Sequence, residues 1–386
     1  MVKPIDDRYG TFVPPAERVW VSAKTDDPTI DQRKTEADCL LEQAIELYQT
    51  RDFAVALRSF QQSLVIYRTL QDLQGEAKVL GGMGLIYYVM GNYTEAIACS
   101  HQSLGMARHI QDRTTERQAL SNLGNSYRHL ENYERAIAFK IQSLEVAREI
   151  QDRRGELAAL SNLGMLYKTM GDCLHAIEYY HKSLLIAREL PDIQAEAQVL
   201  RNLGNAHHSM SNYAETVNCY RQLLSLVHHL PNRLSEAQIL KNIASACFSL
   251  GDHEQAIAYH QSRLAIAHEL KDLELQEQTL ESLSAICDSL GHYPQAIAYY
   301  QQRLDLAQQT GDRTLVQQLL ASLKNLCCAI GDFAQANEYA MQIDCESFVP
   351  RPIEALPLKA KPTESLSNPT LKNLDRIREP FVRYIR

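Results

Sequence analysis

Hydrophobic positions follow helical spacing over most of the chain. Between residues 114 and 130, Leu120, Leu123 and Tyr127 recur at steps of three and four, so they share one face of a helix. Two polar residues interrupt the spacing, and a second apolar face follows over residues 133–150. The pattern predicts two consecutive amphipathic helices joined by a short turn.

This pair of predicted helices recurs every 40 residues, in eight copies without insertion or deletion. A leucine column, a small-residue column and an alanine column show the period. The leucine column consists of Leu40, Leu80, Leu120, Leu160, Leu200, Leu240, Leu280 and Leu320. The small-residue column consists of Ala44, Gly84, Gly124, Gly164, Gly204, Ala244, Ser284 and Lys324. The alanine column consists of Ala56, Ala96, Ala136, Ala176, Thr216, Ala256, Ala296 and Ala336. Small residues let antiparallel helices approach closely, and one pair cannot bury both of its faces alone. The period predicts an all-α solenoid of about eight stacked helix-turn-helix units.

Turn and capping residues mark the ends of the predicted helices. In five copies a glycine follows the first helix, where the left-handed conformation costs it little. These glycines are Gly91, Gly171, Gly251, Gly291 and Gly331. Before each new copy stands a residue whose side chain accepts hydrogen bonds from the first amides of a helix. These residues are Asp72, Asp112, Asp152, Asp192, Asn232, Asp272 and Asp312.

The repeated motif resembles the tetratricopeptide repeat (TPR). The pattern L-x-x-L-G-x-x-Y-x-x-x-G-x-Y-x-x-A-I stands as LSNLGNSYRHLENYERAI at 120–137 and as LSNLGMLYKTMGDCLHAI at 160–177. The copies exceed the common length of about 34 residues and are similar to the repeats of LGN/Pins-type scaffolds and kinesin light chains. The resemblance covers residues 36–344. It implies a right-handed superhelix whose first helices line a concave groove that holds an extended peptide or a partner helix.

The resemblance also indicates which residues contact a partner. Polar side chains of the first helices that lie outside the buried leucine columns are expected to face the groove. In the middle of the array these are asparagines flanked by bases: Asn122, Asn125, Arg128, Asn162, Lys168, Arg201, Asn202, Asn205, His208, Lys241 and Asn242. An asparagine amide donates and accepts hydrogen bonds, which suits it to a peptide backbone. Asn122, Arg128, Asn162 and Lys168 resemble the residues with which some TPR domains bind a terminal carboxylate.

A structural role is the alternative for the asparagine column. Asparagine is a poorer helix former than alanine, so its recurrence at Asn122, Asn162, Asn202 and Asn242 requires a compensating interaction. That interaction is contact with a bound peptide, a bridge between neighbouring first helices, or capping of buried carbonyl groups.

The sequence lacks the common motifs for catalysis, phosphate binding and metal binding. Cys247, Cys287 and Cys327 share a column with tyrosines, so we interpret them as packing residues. The histidine pairs at 207–208 and 228–229 point about 100° apart on a helix, so neither can hold one metal ion from one face. We expect no catalytic residue, no metal ligand and no cofactor.

Composition narrows the class of partner. The chain has 386 residues and a net charge of −8, which disfavours binding to nucleic acid. It has no apolar run of about 18 residues, as a membrane span requires, and no apolar N-terminal signal. The nine cysteines form no CxxC pair, which indicates free thiols in a reducing compartment. We expect a cytoplasmic protein that binds another protein or peptide, as a monomer or a homo-oligomer.

Prolines mark the ends of the array, since four lie before residue 30 and six after residue 349. The sequence predicts an irregular segment at 1–34, the repeat array at 35–344, a proline-rich linker at 345–366 and a basic tail at 367–386 with a short helix. Packing against the terminal repeats and binding a partner are alternative roles for both ends.

These features favour an interaction module over an enzyme. The expected function is that of a scaffold, adaptor or chaperone-like assembly factor for a protein complex. The alternative is a peptide-responsive signalling regulator. Such regulators usually carry an N-terminal effector domain, for which residues 1–34 are too short. An enzyme with a site inside the solenoid is the third class, and no residue pattern favours it.

Overall fold

A computed structural model describes residues 28–228 and 232–347, which form sixteen α-helices and contain no β-strand. The first helices of the eight hairpins are α1 (Pro28–Gln49), α3 (Leu73–Val89), α5 (Arg113–His129), α7 (Arg153–Thr169), α9 (Ile193–Ser209), α11 (Arg233–Ser249), α13 (Leu273–Ser289) and α15 (Arg313–Ile330). The second helices are α2 (Phe53–Leu70), α4 (Tyr93–His109), α6 (Tyr133–Glu149), α8 (Cys173–Glu189), α10 (Tyr213–Val227), α12 (His253–Leu270), α14 (Tyr293–Thr310) and α16 (Phe333–Ser347). The predicted all-α architecture of helix-turn-helix repeats is confirmed.

The chain divides into two compact units, with the boundary between Pro191 and Asp192. Unit 1 contains helices α1–α8, and unit 2 contains helices α9–α16. Within each unit every helix packs against the next one along the chain, and in unit 1 neighbouring first helices also contact each other. Each unit therefore builds its core between adjacent hairpins, as repeat proteins do.

The turns between first and second helices have the predicted conformation. Gly91, Gly171, Gly251, Gly291 and Gly331 all have positive φ, between 71° and 84°. Three copies hold a different residue in the same left-handed position: Arg51, Glu131 and Ser211. The turn therefore requires the left-handed conformation, and glycine is the residue that adopts it with the least strain.

The predicted capping residues precede the first helices. The Asp112 carboxylate accepts a hydrogen bond from the Thr115 amide at 3.0 Å, and Asn232 accepts one from the Ser235 amide at 3.0 Å. The same contact is made by Asp72, Asp152, Asp192, Asp272 and Asp312. Each cap satisfies an amide that has no partner within its own helix.

The small-residue column allows the two helices of a hairpin to approach closely. A Cβ atom added at Gly164 would lie 2.7 Å from the Tyr180 ring of the paired second helix. One added at Gly124 would lie 2.8 Å from the Lys140 side chain. Both glycines face a large side chain that fills the space a methyl group would need, which confirms the packing role of this column.

The array begins earlier than the sequence predicts. Helix α1 starts at Pro28, inside the segment 1–34 that was expected to be irregular. Proline fits the first turn of a helix because the amide it lacks has no intrahelical partner there, and Asp31 in the first turn favours the helix dipole. Helix α16 continues to Ser347, past the expected end at 344. Residues 1–27, most of the predicted linker at 345–366 and the tail at 367–386 lie outside the described residues.

Candidate functional site

The eleven residues predicted to contact a partner lie on four first helices, and none of the eleven is buried. We call these residues the first-helix surface. In unit 1 they are Asn122, Asn125 and Arg128 on α5 and Asn162 and Lys168 on α7. In unit 2 they are Arg201, Asn202, Asn205 and His208 on α9 and Lys241 and Asn242 on α11. His208 and Lys241 are exposed, and the other nine are partly exposed.

In unit 1, Arg128 packs against the preceding first helix. Its Nη2 donates to the Tyr88 hydroxyl at 3.3 Å and lies 2.9 Å from Nε2 of His129. The His129 ring stacks on Tyr93. Burial and the nearby Arg128 charge lower the pKa of His129 to about 4, so the imidazole is neutral at pH 7. These contacts fix the position of the Arg128 guanidinium on the first-helix surface.

Asn122 links two first helices. Its Nδ2 donates to the Gly81 carbonyl oxygen of α3 at 3.1 Å. This is the bridge between neighbouring first helices that the sequence left open as an alternative role. For Asn122 the compensating interaction is therefore at least partly structural.

In unit 2, Tyr220 of α10 connects asparagines of successive repeats. Its hydroxyl donates to Asn205 Oδ1 at 2.6 Å and is also hydrogen-bonded by Asn242 of α11. Gln198 donates to Asn202 Oδ1 at 3.0 Å, and Gln238 donates to Asn242 Oδ1 at 3.2 Å. The asparagine amides of unit 2 are therefore oriented by neighbouring side chains.

The structure also reveals three buried cations on second helices that sequence analysis did not single out. Lys140, Arg263 and Arg303 are 2%, 2% and 7% exposed. The two arginines occupy a column that holds serine in unit 1, where Ser63, Ser103 and Ser143 donate to carbonyl groups of the paired first helix. The change from a buried serine to arginine within one column is the signal that could have identified Arg263 and Arg303, whereas Lys140 lies in a different column.

Lys140 is enclosed between α5 and α6. Its Nζ donates to the carbonyl oxygen and to Oγ of Ser121, at 3.0 and 3.1 Å. Burial lowers the pKa of Lys140 well below its usual range, and the charges of Arg128 and Arg117 lower it further.

The cysteine column is a packing column, as the sequence predicts. Cys247, Cys287 and Cys327 are buried free thiols, and burial raises the pKa of each. A raised pKa keeps a thiol protonated and poorly nucleophilic. Among the described residues, no cluster of three His, Cys, Asp or Glu side chains is arranged to bind a metal ion. No helix in the described ranges is long and apolar enough to span a membrane.

Comparison with protein families places the repeats within a known family. The sequence model of the tetratricopeptide repeat matches five overlapping stretches: 75–149, 115–189, 155–227, 194–269 and 235–309. Together these stretches extend from residue 75 to residue 309, which is more than half of the chain. No curated protein matches the sequence.

Two solved structures show the same fold. A STAND-type signal-transduction ATPase with a tetratricopeptide-repeat sensor, from Pyrococcus horikoshii, is 16% identical, with a TM-score of 0.55 over 83% of this chain and 50% of that chain. The C-terminal part of a TPR protein from Cytophaga hutchinsonii is 14% identical, with a TM-score of 0.53 over 69% of this chain and 95% of that chain. At these identities the likeness extends to the fold alone, and this chain spans half the length of the Pyrococcus protein.

Proposed function

The chain belongs to the tetratricopeptide-repeat family, and from this premise we propose that it is a non-catalytic scaffold, adaptor or assembly factor. It binds an extended peptide or a partner helix on the first-helix surface, in the groove that such repeats form. The observation that carries the proposal is the set of oriented amides in unit 2, where Tyr220 holds Asn205 and Asn242 of successive repeats. Amides fixed in advance lose little conformational freedom when they bind a peptide backbone.

The partner is another polypeptide, and the site of action is the cytoplasm. Bases and amides dominate the first-helix surface, whereas the whole chain carries a net charge of −8. This local excess of positive charge favours a partner segment that carries acidic groups.

The Tyr220 link also supports a second function, that of a peptide-responsive regulator. A peptide that takes over the amide of Asn205 or Asn242 releases one hydrogen bond to Tyr220. The link that Tyr220 of α10 makes between α9 and α11 then changes on binding, and a conformational response follows. Hydrogen exchange of α9–α11 with and without the bound partner distinguishes this regulator from a rigid scaffold.

The test is affinity capture from native lysate followed by mass spectrometry. The unit 1 variant carries Asn125→Ala, Asn162→Ala and Lys168→Glu. The unit 2 variant carries Arg201→Glu, Asn202→Ala and His208→Ala. A control variant carries Lys182→Glu on α8 and Arg221→Glu on α10, two exposed second-helix positions. Circular dichroism confirms that each variant is folded.

We expect a protein that the wild type and the control retain and that at least one first-helix variant loses. Retention by all four forms would move the binding site away from the first helices. Catalytic turnover by the purified wild type would overturn the non-catalytic assignment.

A further inference from the structure

Arg303 shows how this fold accommodates a buried guanidinium. Glu277 Oε1 accepts hydrogen bonds from Arg303 Nε at 3.1 Å and from Nη2 at 2.7 Å. A second carboxylate, that of Glu281, lies 3.5 Å from Nη2, and Nη1 donates to Ser284 Oγ at 3.4 Å. All three acceptors are on α13, the first helix of the same hairpin. The buried charge is therefore neutralised within the chain.

Arg263 stands one repeat earlier in the same column and lacks every one of these acceptors. The positions of Glu277, Glu281 and Ser284 are occupied on α11 by Ala237, Lys241 and Ala244. One acidic residue is thus replaced by alanine and the other by a base.

The Arg263 guanidinium has few partners of its own. Nη2 donates to Gln278 Oε1 at a long 3.3 Å, whereas Nε and Nη1 have no hydrogen-bond partner in the described part of the chain. The buried Nδ1 of His260 also has none there. A buried charge without a counter-ion is strongly unfavourable, so binding of a ligand that supplies the missing acceptors is favoured.

The first-helix surface gives a ligand a route to this guanidinium. Glu281 reaches Arg303 although its side chain is 63% exposed, so one side chain spans the distance from solvent to the buried charge. Lys241 occupies the position of Glu281 one repeat earlier, and it is exposed. Gln278, the residue that contacts Arg263, is exposed as well and can rotate away.

We propose that Arg263, His260 and Lys241 of unit 2 bind an aspartate or glutamate side chain of the partner polypeptide. Once Gln278 rotates away, the carboxylate pairs with Nε and Nη2 of Arg263, the same edge through which Arg303 holds Glu277, and the Lys241 ammonium at the surface attracts it. A guanidinium binds a carboxylate through two parallel hydrogen bonds, and Arg303 already pairs with carboxylates at this position of the repeat. The inference rests on the proposed function, because it names the chemistry of the segment that the first-helix surface holds.

The test uses an array of short random-sequence peptides as the probe, followed by titration of the bound peptides against the full chain. Bound peptides are expected to share an acidic residue. Its replacement by the corresponding amide weakens binding by about tenfold or more. Arg263→Met weakens binding to the same extent, and Arg221→Met, which removes an exposed charge of the same unit, leaves it unchanged.

Lys241→Glu provides a second variant that does not depend on removing a buried residue. It introduces the carboxylate that Glu281 supplies to Arg303, so it raises the melting temperature and abolishes the preference for acidic peptides. Arg263→Met is expected to keep the melting temperature or raise it, so loss of folding does not account for loss of binding.

The outcomes separate this inference from the proposed function. If the bound peptides share no acidic residue and bind Arg263→Met as well as the wild type, the inference is wrong and the proposed function is unaffected. A preference satisfied only by a free peptide C-terminus also overturns the assignment to an acidic side chain. Absence of any peptide binding, with no partner captured from lysate, contradicts both.

Discussion

At the scale of single residues, Lys140 is a basic side chain whose charged form the fold opposes. Its amino group is buried and donates to Ser121, and the neighbouring charges that act on it are those of Arg128 and Arg117. Lys140→Met keeps most of the side-chain volume and removes the cost of burying a cation. We expect the free energy of unfolding at pH 7 to rise by about 1 kcal/mol, measured by urea denaturation.

The same residue makes stability depend on pH. Because the folded pKa of Lys140 lies well below the unfolded value of about 10.4, the unfolded chain binds more protons between these two values. The stability of the wild type therefore rises with pH across that window, and Lys140→Met loses this rise. Lys182→Met, at an exposed position of α8, is the control and should leave the slope unchanged. If the free energy of unfolding changed with pH in parallel for the wild type and Lys140→Met, Lys140 would not be the source of the pH dependence.

Burial of individual residues is only partly predictable from the sequence. Seven of the eight leucines in the leucine column, including Leu120 and Leu160, are buried as their spacing predicts, and Leu40 of α1 is partly exposed. Lys140 belongs to a column that changes from Phe60 to Ser100 to Lys140, so its identity gives no indication of its environment. A lysine becomes buried there because Gly124 opposite leaves room for its stem.

At the scale of helices, a glutamate in the first turn of a first helix joins consecutive hairpins. Glu116 of α5 is 4% exposed and accepts hydrogen bonds from Arg108 of α4 at 2.8 Å and from Arg113 at 2.7 Å. Arg113 also pairs with Glu149 of α6. The next repeat contains the same arrangement, with Arg148, Arg153, Glu156 and Glu189. The buried carboxylate thus connects α4 to α5, and Arg113 extends the network to α6.

Glu116→Gln should therefore destabilise the protein more than a change at the rim of the same network. We expect the free energy of unfolding to fall by about 2 kcal/mol, because two arginines lose a buried counter-charge. The loss is not larger because both guanidinium groups are also in contact with solvent. Glu149→Gln, at a carboxylate that is 54% exposed, should cost about 0.5 kcal/mol or less. Urea denaturation of both variants measures the difference, and equal effects would contradict the central role of Glu116.

Helix ends are more predictable than these ion pairs. Caps such as Asp112 and turns such as Gly91 act within three or four residues, so the local sequence contains all of the information. The pairing of Arg108 with Glu116 spans a turn and depends on the angle between two helices. That angle follows from packing, which the hydrophobic pattern does not specify.

At the scale of the whole molecule, the 40-residue period predicts the number of hairpins but not the division into two units. The boundary lies at Pro191, in the column where Gln71, Gln111 and Gln151 adopt positive φ. Proline cannot adopt positive φ, and the preceding Leu190 is extended. The exchange of glutamine for proline is visible in the sequence, but Pro231 stands in the same column within unit 2, so the sequence alone does not locate the boundary.

Stability in such an array depends on contacts between neighbouring helices, so the effect of a destabilising substitution should remain confined to adjacent helices. Leu320 of α15 is 1% exposed, and α15 packs against α14 and α16. Leu320→Ala leaves a cavity that costs about 3 kcal/mol. We expect faster hydrogen exchange in α14–α16 and unchanged exchange in α9 and α10 of the same unit, measured by mass spectrometry.

The control for this prediction is Leu234→Ala on α11, where the side chain is 56% exposed and no cavity forms. It should leave exchange unchanged in all helices of unit 2. A single cooperative core would respond differently, because Leu320→Ala would then accelerate exchange in α9 as much as in α15. That uniform response would contradict a nearest-neighbour array. A response confined to the last helices would show that the proposed binding residues of α9 and α11 are unaffected by changes at the end of the unit.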